Sequence, residues 1–232
     1  MPIFLHIETA TPVCSACITD GEKIISLREK SGNNVHSSLL TVFIQELFQE
    51  SGIAFSSLDA IAVSKGPGSY TGLRIGVSTA KGLCFALDKP LLSVETLTAM
   101  AHGMLQQKAV SEDTYLCPMI DARRMEVYTA FYNNQLTKVF DTCALIIDQD
   151  TFLPFLKENN LLFFGSGADK LVPQFNNHPG IKINTEYLHS SSFMLQSALE
   201  KWNNKQFEEV RSFEPYYLKD FVATTPKNKL SL

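Results

Sequence analysis

Three stretches of the sequence have residue types and spacings that could do chemistry. The densest is Gly66-Pro67-Gly68-Ser69-Tyr70-Thr71-Gly72-Leu73-Arg74-Ile75-Gly76. A glycine-rich turn between a strand and a helix exposes backbone N–H groups at the positive helix end, which is how phosphates are cradled. Its spacing matches neither standard form. G-x-G-x-x-x-G is one residue longer than the dinucleotide fingerprint, and Gly72-Leu73-Arg74 stands where a Walker loop needs Gly-Lys followed by Ser or Thr. Ser69 lies in no G-x-S-x-G elbow and has no histidine near it in sequence, so a nucleophilic serine is unsupported. The second stretch is Gly165-Ser166-Gly167-Ala168, a turn that either packs against an adenosine, making Gly165 and Gly167 cofactor-binding, or simply starts a helix. In the third, Ile7-Glu8-Thr9-Ala10-Thr11 sits where kinase-like folds place an acid and a glycine-containing phosphate hairpin. With no glycine between Glu8 and Asp20, its side chains would crowd a phosphate.

Metal and redox chemistry find little support. The histidines (His6, His36, His102, His178, His189) form neither H-x-x-x-H nor H-E-x-x-H. The 5 cysteines are an odd number set mostly in apolar stretches, as expected of free buried thiols in a reducing compartment. Cys14-Ser15-Ala16-Cys17 is formally C-x-x-C, but on a strand residues three apart point to opposite faces, so both are read as structural. Asp121-Ala122-Arg123-Arg124-Met125-Glu126 is read as a solvated hairpin tip with local ion pairs.

The elements that must carry these residues follow from periodicity. Ile3 to Glu8, Cys14 to Thr19 and Lys23 to Arg28 read as strands, the last two joined at Asp20-Gly21-Glu22. Ser37 or Ser38 caps a helix to Glu50 on which Leu39, Leu40, Phe43, Leu47 and Phe48 recur with helical spacing, and Gly52 stops it. A strand from Asp59 to Ser64, a helix from Thr71 to Leu87, a strand from Leu91 to Val94 and a helix from Thr96 to Gln106 follow, adding a parallel part to an antiparallel start. After a polar break the order begins again with Tyr115 to Ile120, Met125 to Tyr132 and Thr137 to Ile147. A helix near Thr151 to Asn159, a strand from Leu161 to Phe164 and a last helix from Ser191 or Ser192 to Asn203 complete it. Two related lobes are expected, at 1–107 and 108–212, with a tail at 213–232 whose end, Thr224 to Leu232, is polar and mobile.

Gly72, Gly76 and Ala80 repeat every fourth residue and form a smooth helix stripe beside the apolar Leu73, Val77, Cys84 and Leu87. Interior glycine costs about 1 kcal/mol relative to alanine, so the repeat implies close approach of something. Packing within the lobe and packing against another subunit both satisfy it.

Composition sets the outer bounds. The 232 residues are 45% hydrophobic and 19% charged, enough for a sizeable core. A net charge of −4 argues against a free-standing nucleic-acid binder. Apolar runs are short and the N-terminus has no basic leader, so a cytoplasmic location without membrane contact is expected.

Beyond this reading, the chain resembles the bacterial TsaB (YeaZ) family, noncatalytic relatives of the TsaD (Gcp) subunit of tRNA threonylcarbamoyladenosine synthesis. The resemblance rests on Leu5 to Ala10, His36 to Leu40, Ser64 to Val77, Ala80 to Leu83, Ile120 to Tyr128 and Glu214 to Lys219, the third being the most specific. It implies an α/β, two-lobe actin-like ATPase (ASKHA, RNase H-like) fold. It also implies a scaffold and activator role beside TsaD, with the P-loop ATPase TsaE as a further partner and tRNA reached only through the complex. TsaD-like members hold a metal through H-x-x-x-H, whereas Leu40 follows His36 four positions on, and Glu8-Thr9-Ala10 replaces the usual Asp-Thr-Ser. The family was also long classed with peptidases, a role for which no nucleophile-base motif is present. On the resemblance and the smooth stripe, His36, Leu39, Leu40, Phe43, Gly72, Leu73, Gly76, Val77 and Ala80 are expected to dock TsaD, or a second copy of the chain in its absence. No catalytic or metal residues are assigned, and ATP or ADP is not expected as a cofactor. The competing reading is an independent ATP-dependent transferase or kinase, favoured by the two glycine-rich turns but lacking assignable Mg²⁺ carboxylates.

Overall fold

The computed structural model describes residues 1–32 and 34–219. Alternating apolar residues build β1 (Ile3–Glu8), β2 (Val13–Asp20) and β3 (Lys23–Ser31) as an antiparallel meander, with Gly21 at φ +56° in the tight β2–β3 turn. Helix α1 (His36–Ser51) covers one face and stops at Gly52, left-handed at φ +67°. Next come β4 (Ala60–Gly66), α2 (Tyr70–Leu87), β5 (Leu91–Glu95) and α3 (Thr96–Gln107). β4 and β5 are buried on both faces and pair in parallel, so the first sheet reads β3-β2-β1-β4-β5.

The second half comprises β6 (Thr114–Asp121), β7 (Glu126–Tyr132), β8 (Lys138–Ile146), β9 (Asn160–Phe164), the short α4 (Val172–Phe175), β10 (Ile181–Asn184) and α5 (Leu195–Asn203). Its sheet runs β8-β7-β6-β9-β10, antiparallel then parallel, the same order and senses as the first. The repeat is one of topology.

The lobes exchange helices. α3 buries Leu97, Met100, Ala101 and Met104 against Leu116, Ile120 and Phe164 of the second sheet, while α5 carries Ala198 and Trp202 onto Phe4, Ala60 and Leu92 of the first. A cut at 107/108 therefore separates the sheets but not their covering helices.

Three local expectations are corrected. The N-cap of α1 is Val35, and the hydroxyls of Ser37 and Ser38 donate backward to the carbonyls of Asn34 and Val35. Residues 151–158 form consecutive turns, because Pro154 has no N–H to donate and disfavours helical backbone at Leu153. The last helix opens as a 3-10 turn over Ser191–Met194, capped by Ser190, and is α-helical only from Leu195. Thr224 to Leu232 lies outside the described residues.

Candidate functional site: the hairpin, its socket and the inter-lobe cleft

The glycine-rich stretch is a socket for the β1–β2 hairpin. Ser69 caps α2 by accepting from the Gly72 N–H, and its own N–H donates to the Ala10 carbonyl at 2.8 Å. The Thr9 hydroxyl donates to the Gly72 carbonyl at 2.8 Å. A Cβ on Gly68 would stand 2.4 Å from the Ala10 oxygen, on Gly72 2.0 Å from the Thr9 oxygen and on Gly76 2.2 Å from Thr9 Oγ1. At Gly72 and Gly76 the small-residue stripe is thus occupied by Thr9 of the same chain.

Glu8, at the end of β1, is wholly buried. One carboxylate oxygen accepts from the Ala10 N–H at 2.5 Å and the other lies 3.2 Å from His189 Nε2. Behind the imidazole, Tyr187 Oη is 3.1 Å from His189 Nδ1 and 3.1 Å from the Met100 carbonyl. Burial, and then the charge of Glu8, hold the Tyr187 phenol well above its ordinary pKa. With its one O–H donated to the Met100 carbonyl, Tyr187 Oη is left to accept from His189 Nδ1–H. This chain of groups ties β1 to α3 and to the segment before α5.

Beside the hairpin a cleft of about 470 Å³ opens between the lobes, lined by Thr11, His36, Ser69 and Thr71 on one side and by Asp121 and Ser166 on the other. Gly165 and Gly167 do not line it. Gly165 adopts φ +94°, with a Cβ position 2.6 Å from the Met119 oxygen, and that of Gly167 lies 2.9 Å from the Ile120 backbone. Both serve the packing of the turn under β6, and it is Ser166 between them that lines the cleft. At the hairpin tip the acids pair with distant lysines, Asp121 with Lys170 and Glu126 with Lys219, and not with Arg123 and Arg124.

The residues expected at a partner interface divide in two. Leu40, Gly72, Leu73, Gly76, Val77, Ala80 and His36 are buried in their own lobe, His36 through a 3.0 Å bond from its ring to the Thr11 carbonyl. They offer a partner little surface, Val77 reaching the groove over α2 and His36 and Gly72 the cleft. Leu39 and Phe43 remain half-exposed, and α1 and α2, which pack side by side, also present Val42 and an 81% exposed Phe85.

The cysteines behave as expected. Cys14 faces the α1 side of the sheet and Cys17 the opposite side, near Ser191, and burial pushes their thiols up to about 11 and about 12. Among the described residues no cluster of three or more His, Cys, Asp or Glu could hold a metal ion. His6 lies on the Glu8 face of β1, bonded to Thr19 at 2.9 Å through Nε2, and burial pushes its pKa from 6.5 down to about 3. The folded chain keeps it neutral where the unfolded chain protonates it, so stability should fall as pH drops from 6.5 towards 3. The loss approaches about 1.4 kcal/mol per pH unit. Urea titrations across that window should show the slope, and a His6→Asn variant should lose about one proton's worth of it. An unchanged slope would contradict this account.

Known proteins share this architecture. A family model described as TsaD, tRNA N6-adenosine threonylcarbamoyltransferase, matches residues 30–227. The tRNA threonylcarbamoyladenosine biosynthesis protein TsaB of Haemophilus influenzae is 35% identical over 94% of this chain and 94% of its own. The chain belongs to the TsaB (YeaZ) family. YeaZ from Pseudomonas aeruginosa superimposes with a TM-score of 0.77 at 25% identity, covering 94% of this chain and 100% of that one. EutJ from Carboxydothermus hydrogenoformans, at 9% identity and a TM-score of 0.51 over 83% of this chain and 88% of its own, shares the fold alone. The fold of this TsaB-family chain is the two-lobe actin-like ATPase fold that the family resemblance implied.

Proposed function

We propose that this chain is the noncatalytic scaffold and activator of tRNA threonylcarbamoyladenosine synthesis. It acts in the cytoplasm with a TsaD-like subunit and a TsaE-like ATPase and meets tRNA only through them. Sealing of Glu8 is the observation that carries this reading. In an actin-like enzyme the acid of the first hairpin must face phosphate or metal, whereas here it accepts from Ala10 and engages His189 in a fully buried site. The hairpin itself, lacking glycine, is clasped by α2. The exposed face of α1 and α2, with Leu39, Phe43, Val42 and Phe85, is the docking surface, and it pairs two copies when TsaD is absent. The chain needs no nucleotide of its own. Among the described residues no helix is long and apolar enough to cross a membrane.

Reconstitution tests this. Modification of tRNA by the TsaD-like and TsaE-like subunits should require the chain, while the chain alone should transfer nothing, cleave no peptide and bind tRNA more weakly than about 1 μM at physiological salt. The cleft is the one observation that favours an independent ATP-dependent transferase. ATP turnover or group transfer by the lone chain would establish that reading instead.

A further inference from the structure

The C-terminal segment crosses the outer face of α2 and leaves a groove of about 410 Å³ lined by Arg74, Val77, Ser78, Lys81, Phe213, Glu214, Pro215 and Tyr217. Arg74 is exposed yet held in place: its guanidinium carbon lies 4.3 Å over the Tyr70 ring and its Nε is 3.4 Å from Tyr217 Oη, with the two tyrosine rings 5.0 Å apart. Its Nε is turned to Tyr217, and the terminal N–H groups along the outer edge of the fork, in the guanidinium plane, are the donors for an acceptor pair. Lys81 is fixed by the carbonyls of Arg211 and Phe213 at 3.1 and 2.9 Å. Among the described residues neither cation has a carboxylate ion-pair partner. Among the described residues Glu214 is the single acid of the lining, beside two cations, on a chain whose net charge is −4.

We propose that this groove receives a carboxylate-bearing segment of the protein that docks on the adjoining α1/α2 face, with Arg74 as its anchor. The inference rests on the docking reading above and adds the chemistry of the contact. Its walls, Val77, Phe213, Pro215 and Tyr217, suit the apolar part of a peptide side chain while Arg74 takes the acid end. An RNA backbone would bring a row of phosphates towards an acidic chain whose described residues line this groove with two cations, so a protein carboxylate fits better.

Affinity for the TsaD-like subunit of the same organism, measured by titration calorimetry on wild type, Arg74→Glu and Ser78→Glu, tests the assignment. Ser78→Glu places an acid on the groove wall without removing a contact seen in the fold. Both side chains are exposed, so both variants should melt within a few degrees of wild type. Arg74→Glu should weaken binding at least about tenfold and Ser78→Glu at least about threefold. Raising NaCl from about 0.1 to 0.5 M should weaken wild type more than Arg74→Glu. If wild type binds and both variants bind equally well, the groove is not a contact although the docking reading stands. If wild type itself does not bind, the docking reading fails and the groove falls with it. If Arg74→Glu changes only retention of labelled tRNA by the assembled complex, the groove belongs to RNA and the protein assignment is wrong.

Discussion

Gly72→Ala should destabilise this protein by about 3 kcal/mol or more, because the added methyl group would stand 2.0 Å from the Thr9 carbonyl oxygen. Alanine improves helix propensity by about 1 kcal/mol, which offsets only part of the overlap. The methyl carbon is fixed directly to the helix backbone and the carbonyl belongs to the hairpin backbone tied to it by the Thr9 to Gly72 hydrogen bond, so neither can swing aside. For a chain of this size the loss corresponds to a melting temperature lower by about 6–12 °C. Gly76→Ala meets a different obstacle, the Thr9 hydroxyl at 2.2 Å, and that obstacle can be removed. Thr9→Ala should therefore rescue Gly76→Ala in part and leave Gly72→Ala unrescued. Calorimetric melts of the four variants and of wild type check the pattern. A Gly72→Ala protein that melts like wild type but no longer binds its partner would return the stripe to an intermolecular surface.

That pair of glycines marks how far the sequence could be read. Their four-residue spacing announced a close approach, and the element carrying them was legible from its periodicity. What approaches is Thr9, 63 residues away, and no local pattern names a contact of that separation. The same limit hid His189, which meets Glu8 across 181 residues. It carries no motif, and only the folding of the second lobe brings it under the first sheet. Strands β1 to β9 were plain because alternation and turn residues act locally, whereas the four-residue β10 (Ile181–Asn184) was not read. Errors fell where two local rules competed. Ser37 and Ser38 read as caps, yet their hydroxyls satisfy carbonyls behind them, and the apolar spacing around Phe152 suggested a helix that Pro154 does not permit. The duplicated sheet order survives although the halves share little sequence, because topology requires a hydrophobic pattern and not particular residues.

The sign of one stability change distinguishes a sealed acid from a working one. Glu8→Ala would leave His189 Nε2 and the Ala10 N–H without a partner in a fully buried site, and each buried polar group left unsatisfied costs about 1–3 kcal/mol. His189→Ala should cost a similar amount, because it leaves the second Glu8 oxygen without a partner and empties the buried space of the ring. Because each single change already breaks the pair, the double variant should be more stable than the sum of the singles implies, with a coupling of about 1–3 kcal/mol. Glu8→Gln keeps the shape and an acceptor for Ala10, so it should cost only about 1–2 kcal/mol. An acid kept for catalysis behaves in the opposite way: it is held at some cost to the fold, and its neutralisation leaves stability unchanged or raises it while abolishing turnover. Urea unfolding of Glu8→Gln, Glu8→Ala, His189→Ala and the double variant gives the sign directly. Stabilisation in Glu8→Gln, or additive losses in the double variant, would mean that Glu8 is not the fastening between β1 and the second half of the chain. The scaffold reading would then lose the observation it stands on.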